Sequence, residues 1–343
     1  MRVLMITDTL APDGLDATAH QARRLYEQGR LVGDVHLVAG YRRSRGYLPA
    51  EALGVDLCGA SDLSSRWAMR RAAQRRARQL KPDVVLTTRP SLPRCKRPAV
   101  LYLASPSIDP RLPGLPRLAR LSAFRRVLLP SDAAARSFEA LGVSPELIRV
   151  VPPAIPSPSL RDSGSSPTLS LLCLGGLAPH RGQHLAIDAI ARLSPVEKAR
   201  VHLHIVGRAA DPVYVEHLKV QAYEQPISLH IDEADSGRFI AQADLMLAPS
   251  LVDVACPYPA LEAVVAGVPL AYADRPTATA MVGDLGHRVV SGDANAWRDV
   301  VRAFIDQPAA FWRTAEAGVE QARAQWSASV SWTAVHRQLQ DIL

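Results

Sequence analysis

Short apolar runs alternate along this chain with longer stretches in which apolar positions recur every three or four residues. RVLMIT at residues 2–7 leads into a helical pattern from about Ala17 to Gln28, then DVHLVAG, a strongly basic helical stretch, DVVLTT, AVLYLAS and RVLLPS. Such a strand-helix-strand rhythm predicts crossover units and a parallel sheet. Each strand ends at Ser, Thr, Asp or Gly, and the carboxyl ends of an open parallel sheet line its ligand crevice. Asp8, Thr9, Gly14, Thr87, Thr88, Ser105 and Ser131 therefore either face a site or serve only the turns.

The alternation stops at PSPSLRDSGSSPT, residues 156–168, where Pro, Ser and Gly dominate and no apolar period crosses. It restarts with LSLLCLGGL, the helix HLAIDAIARL, the strand RVHLHIVG, a helix near Tyr214 to Gln225, PISLHI, the helix SGRFIAQA, DLMLAPS, a helix carrying Glu262, and PLAYA. At 343 residues the chain is longer than one core usually supports. The pattern predicts a first domain over 1–155, a linker over 156–168 and a second domain over 169–325. Residues 326–343, ending SWTAVHRQLQDIL, form a helix expected to pack back toward the first domain. A crevice between two such halves is the natural pocket.

Composition narrows the class. Apolar residues make up 48% of the chain, yet no run approaches the roughly 18 needed to span a bilayer. MRVLMIT reads as a strand rather than a secretory signal, so a cytoplasmic protein is expected. Cys58, Cys95, Cys173 and Cys256 have neither metal-ligand spacing nor the density of a disulfide framework.

Charge is unevenly spread. Residues 1–155 hold 25 of the 40 Lys and Arg but 13 of the 33 Asp and Glu, a net charge of +12 that leaves −5 for the remainder. Much of it lies in RWAMRRAAQRRARQLK, where Arg66, Arg70, Arg71, Arg75, Arg76 and Arg78 surround an expected apolar stripe of Leu63, Trp67, Ala73, Ala77 and Leu80. A basic helix of this kind is either a solvated face or a peripheral contact with an anionic membrane or acidic acceptor. Without interleaved aromatic residues or a recognisable motif, nucleic acid is not the expected partner.

PSLVDVACPYPALEAVVAGVP, residues 249–269, presents an acid at the mouth of a helix. Pro259 suits the first helical turn and Gly267 the left-handed position that ends one. Amides at the helix start favour a phosphate, and Glu262, one turn on, has the chemistry to accept hydrogen bonds from ribose hydroxyls.

Five collinear blocks then carry a family resemblance: VLLPSDAAARSFEALGVSPELIRVVPPAI, LSLLCLGGLAPHRGQHLAIDAIARL, VHLHIVG, AQADLMLAPS and ALEAVVAGVPLAYAD. Together they resemble the retaining GT-B glycosyltransferases of the GT4 type, most strongly over Val127 to Gly292. The resemblance implies an α/β fold of two Rossmann-like, doubly wound parallel-sheet domains facing a central cleft. It implies that the second domain binds a nucleoside-diphosphate sugar of the UDP or GDP type. The first domain would take a saccharide, lipid-linked or small natural-product acceptor, and no metal or other cofactor is required. Carried onto this sequence, it implies donor contacts at Gly14, Gly175, Gly176, Arg181, Gly207, Ser250, Tyr258, Ala260, Leu261 and Glu262, with Arg181 and Glu262 central to transfer.

The chain departs from the family at four places. One phosphate-binding Arg is replaced by Gly176, and a Lys by Arg181, which still offers a cationic fork. The family's first glutamate, separated from the second by seven intervening residues, falls at Val254 when the second is Glu262, with Asp253 beside it as a surrogate acid. No histidine stands at the strand ends Leu86–Thr88 or Leu103–Ser105, and His20, on the first helix behind the Gly14 turn, either approaches the acceptor or is a surface histidine without a role in the site. Transfer with retention would then rest on positioning and on stabilising the leaving diphosphate. A homologue or partner subunit that binds nucleotide without turnover, or a nucleotide-sugar epimerase, remains an alternative.

Other strings carry less. Asp232-Glu233-Ala234-Asp235 spells a helicase box, but no GxxxxGK(S/T) loop accompanies it. His202 and His204 share a strand face that is expected to be core rather than a metal site. His180, beside Arg181, reads as a loop histidine or as an additional phosphate donor.

Overall fold

A computed structural model describes the whole chain except residues 12–15, 43, 45, 47, 91–96, 107–117, 157–167 and 234, and the side chains of 62 and 118–120. The Gly14 turn, Cys95, most of the expected linker and Ala234 lie outside the described residues. The chain forms two compact units, one of Met1–Ala154 with Trp326–Leu343, the other of Ile155–Gln325.

In the first unit the strands are β1 (Arg2–Thr7), β2 (Asp34–Tyr41), β3 (Leu53–Asp56), β4 (Val84–Thr87), β5 (Ala99–Tyr102), β6 (Arg126–Leu129) and β7 (Ile148–Val150). They pair in parallel in the order β3-β2-β1-β4-β5-β6-β7. Val3, Leu4, Met5 and Ile6 are all buried, because both faces of this parallel sheet are covered. The helices are α1 (Ala17–Val32), α2 (Asp62–Leu80) and α3 (Asp132–Ala140).

The second unit contains β8 (Leu169–Leu174), β9 (Val201–Gly207), β10 (Ile227–Ile231), β11 (Leu245–Ala248), β12 (Leu270–Ala273) and β13 (His287–Val289), parallel in the order β10-β9-β8-β11-β12-β13. Its helices are α4 (Gln183–Ala191), α5 (Pro195–Lys198), α6 (Pro212–Ala222), α7 (Gly237–Gln242), α8 (Tyr258–Ala266), α9 (Pro276–Val282), α10 (Ala294–Asp306) and α11 (Pro308–Trp326). Trp297 and Phe304 of α10 are fully buried in its core. In both units the strand order reverses beside the first strand, which opens a crevice at the carboxyl ends there.

The last helix, α12 (Ala328–Gln340), belongs to the first unit. Its Trp332, Val335 and Leu339 pack with Leu25 and Tyr26 of α1 in one core. Gly29 in α1 makes room for the indole, since a Cβ there would lie 2.8 Å from the Trp332 ring. Buried Gln21 closes the same region: its Nε2 donates to the Ala154 carbonyl at 2.8 Å and its Oε1 accepts from the Ala154 amide at 2.7 Å.

Three observations refine the sequence reading. β3, β7 and β13 are edge strands of three or four residues, too short for a periodic signal. The inner face of α2 is Ser65, Met69 and Ala73, whereas Leu63 is 79% and Trp67 61% exposed. Those two lie two positions, about 200°, round the helix from Ser65 and Met69, so the expected stripe merged two faces. Arg71 stacks on Trp67, with its Cζ 4.4 Å from the ring centroid.

Third, His202 and His204 sit half-buried and hydrogen-bonded. His202 Nε2 meets Ser228 Oγ at 2.8 Å, and His204 Nδ1 meets His230 Nε2 at 3.0 Å. Burial, with His202 and His230 alongside, pushes His204 down to about 4. Among the described residues no group of His, Cys, Asp and Glu side chains is placed to hold a metal.

Candidate functional site

The second unit clamps two of its loops together at the carboxyl ends of β8 and β11. After β8 the chain turns through Gly175, at φ +142, whose amide donates to the Val206 carbonyl at 3.0 Å. The turn crosses the end of β9 so closely that a Cβ on Gly207 would lie 1.8 Å from the Gly175 carbonyl oxygen. Gln183, the first residue of α4, fastens the turn by donating its Nε2 to the Gly176 carbonyl at 2.9 Å. Between them Pro179–Arg181 makes one 3-10 turn, ended by Gly182 at φ +76. A Cβ on Gly182 would lie 2.0 Å from the Pro249 carbonyl oxygen, and the Leu251 amide donates to the His180 carbonyl at 2.9 Å. Glycine at 182 thus serves both the left-handed backbone and the contact with the loop after β11.

This clamp holds Arg181 at a small cavity, about 50 Å³, lined by the ends of β8, β11 and β12 and the start of α8. Val252, Val254, Pro257, Pro259, Tyr272 and Ala278 make its wall largely apolar, and no Asp or Glu lines it. Burial lowers the pKa of the Arg181 guanidinium, which no described residue engages by hydrogen bond or ion pair. Burial first, then the Arg181 charge, likewise lowers His180. Arg275, also on the cavity, donates Nε to the Ser250 carbonyl at 3.4 Å.

α8 begins and ends as its sequence predicts. Proline occupies its first turn and Gly267, at φ 71, caps its end. No side chain caps its start and no acid lies in its first turn, so the amides there face no competing carboxylate from within the helix.

The cavity brings together Arg181, Ser250 and Ala260 of the expected contacts, with Val254 in its wall. Gly175 adjoins it, since a Cβ there would lie 3.8 Å from Pro259 Cγ, and Gly176 follows in the same turn. Gly207 serves the backbone crossing just described. Tyr258 and Leu261 are buried and do not line the cavity. Glu262 is part-exposed on the second turn of α8, outside the cavity wall and near Cys256, whose thiol is pushed well up by burial first and also by this carboxylate.

Asp253 turns away from the cavity. Its carboxylate accepts from the Thr277 amide at 3.0 Å and from Thr277 Oγ1 at 2.8 Å, capping the start of α9 from another loop. His20 lies on α1 in the first unit. At the strand ends of that unit, Thr88 Oγ1 donates to Thr7 Oγ1 at 3.0 Å, Asp8 pairs with Arg89 at 2.5 Å, and Ser131 caps α3. Sequence reasoning missed Gln183 and Arg275. Only the adjacency of β8, β11 and β12 brings Arg275 to this site, whereas Gln183 arrives with the turn that carries Arg181.

Residues 168–307, the span of both clamped loops and the cavity, match the family described as glycosyl transferases group 1. This segment belongs to that family. No protein of curated function matches the chain in sequence. Among solved structures, the glycosyltransferase-family segment and the rest of the chain together are similar to HepE from Anabaena, solved with UDP-glucose: TM-score 0.78 at 17% identity, over 99% of this chain and 100% of that one. A glycosyltransferase from Rickettsia africae gives 0.77 at 11% identity, over 99% and 98%. Sucrose-phosphate synthase from Thermosynechococcus elongatus gives 0.76 at 15%, over 100% of both chains. The fold is therefore GT-B, with two Rossmann-like units.

Proposed function

We propose that this protein transfers a sugar from a nucleoside-diphosphate donor, of the UDP or GDP type, to a hydroxyl acceptor, with retention of configuration and without a metal. The observation that carries this reading is Arg181, held beside the start of α8 by the glycine clamp and engaged by no described residue. A fixed cation and oriented amides stabilise a leaving diphosphate without reorganising as charge develops. HepE, of the same fold, was solved with UDP-glucose, which favours a nucleotide-sugar donor here. Glu262, one helical turn from the amides, is assigned to the ribose hydroxyls.

Calorimetry with UDP-, GDP- and ADP-sugars tests the donor. Binding of at least one, followed by release of its nucleoside diphosphate in the presence of saccharide, lipid-linked and small-molecule acceptors, is the expected result. No heat with any nucleotide at millimolar concentration sinks the reading. A second reading has its own observation: Val254 lines the cavity and Asp253 is bound to Thr277, so no acid stands at the wall. Binding of nucleotide with no turnover for any acceptor class supports that non-catalytic reading.

Peripheral contact of the first unit with the cytoplasmic face of a membrane belongs to the same proposal. Leu63 and Trp67 project from α2 among the exposed Arg66, Arg70, Arg71 and Arg75, an apolar pair within a basic face. No helix among the described residues is long and apolar enough to cross a membrane, so the contact would be interfacial, with tryptophan at headgroup depth and arginines on anionic lipid. Co-sedimentation with phosphatidylglycerol vesicles is expected at low salt, weakened several-fold by Trp67→Ser and by raised salt. No sedimentation at low salt points instead to a soluble acceptor.

A further inference from the structure

Two arginines from different loops share the cavity of the second unit, and no carboxylate lines it. Arg181 comes from the turn before α4, Arg275 from the connection between β12 and α9. Arg275 is steered from behind: its Nε donates to the Ser250 carbonyl, which also accepts from Ser291 Oγ at 3.2 Å. That bond leaves the two Nη groups, which no described residue engages, as a fork suited to a planar or tetrahedral oxyanion. Two guanidinium groups beside one largely apolar wall repel each other, and an anion between them removes the penalty.

A third group points the same way. Gln183 lines the cavity, is 1% exposed, and commits its Nε2 to Gly176 while its Oε1 meets no donor. A buried amide oxygen without a partner carries a desolvation cost that a ligand hydroxyl relieves. At about 50 Å³ the cavity holds a few water-sized groups, enough for one phosphoryl or carboxylate group and too little for a nucleotide.

We propose that Arg275 is the second cation of a compact oxyanion subsite, shared with Arg181 and completed by Gln183 as acceptor for a neighbouring hydroxyl. Its place on the donor rests on the sugar-transfer reading, in which the group held is either a phosphoryl of the diphosphate or a carboxylate on the transferred sugar. Both present the same oxygens to the fork.

Calorimetry on the full chain, comparing wild type with Arg275→Gln and Arg275→Lys, tests the subsite with inorganic pyrophosphate, UDP, UDP-glucose and UDP-glucuronate as probes. The glutamine variant still offers an N–H to the Ser250 carbonyl, and the lysine variant keeps the charge. A phosphoryl occupant predicts at least tenfold weaker pyrophosphate and UDP binding in Arg275→Gln, with partial recovery in Arg275→Lys and an unchanged melting temperature. A sugar carboxylate occupant predicts unchanged UDP and UDP-glucose binding, and a tenfold loss for UDP-glucuronate alone.

Affinities within twofold of wild type for all four probes, or no binding of any probe by wild type, overturn the subsite. Arg275-dependent binding of pyrophosphate without binding of any nucleotide keeps the subsite and removes the donor reading. Binding of UDP, UDP-glucose and UDP-glucuronate that is in every case indifferent to Arg275 does the reverse.

Discussion

Gly182→Ala is expected to destabilise the second unit by about 3 kcal/mol or more and to abolish nucleotide binding, the left-handed backbone alone costing roughly 1–2 kcal/mol. The remainder comes from overlap: the new Cβ would lie 2.0 Å from the Pro249 carbonyl oxygen. That oxygen is main chain at the end of β11, and moving it strains the bond from the Leu251 amide to the His180 carbonyl. Arg181, the preceding residue, would move with the turn. Gly142→Ala provides the control, since Gly142 has φ +89 but nothing within 4 Å of a built Cβ. Denaturant unfolding of both variants separates the two terms. A loss for Gly182→Ala no larger than for Gly142→Ala would show that the loops part without cost and would end the idea of a clamp.

Arg181→Ala is expected to act in opposite directions on binding and on stability. A charged hydrogen-bonding group contributes about 1.5–3 kcal/mol, so affinity for a nucleoside diphosphate should fall roughly ten- to hundredfold. The unliganded protein, by contrast, should be as stable as wild type or more stable, because the variant no longer buries a cation that no described residue engages. Isothermal calorimetry and denaturant midpoints on one preparation read both effects. Affinity within twofold of wild type would remove Arg181 from the site, and a drop in stability would mean that the arginine supports the fold.

The fold was legible where apolar runs are long and punctuated. RVLMIT became β1 within a fully buried parallel sheet, and Pro259 with Gly267 bounded α8 to within a residue. The arginine of the site was legible too, because the sequence spacing that places a cation just before Gly182 is local. What was not legible depended on neighbours distant in sequence. Arg275 is 94 residues from Arg181 and shares its cavity only because β12 pairs with β11, and β11 with β8. Asp253 and Val254 are adjacent in sequence, yet Thr277 holds the first while the cavity receives the second. Along α2 the apolar letters were read correctly but assigned to one face; Met69 and Ala73 went inward while Leu63 and Trp67 went outward. Gly207, expected as a donor contact, shows a backbone reason for being glycine that only the crossing with Gly175 displays.

The placement of α12 inverts the order in which this chain completes itself during synthesis. Domains usually close as they emerge, amino-terminal first. Here the second unit is contiguous, from Ile155 to Gln325, and its sequence has fully emerged before the first unit receives Trp332, Val335 and Leu339. Until those last side chains arrive, Gly29 and its neighbours on α1 present the surface that the indole covers. The amino-terminal unit is thus begun first on the ribosome and finished last, after the carboxyl-terminal one already has every strand it needs.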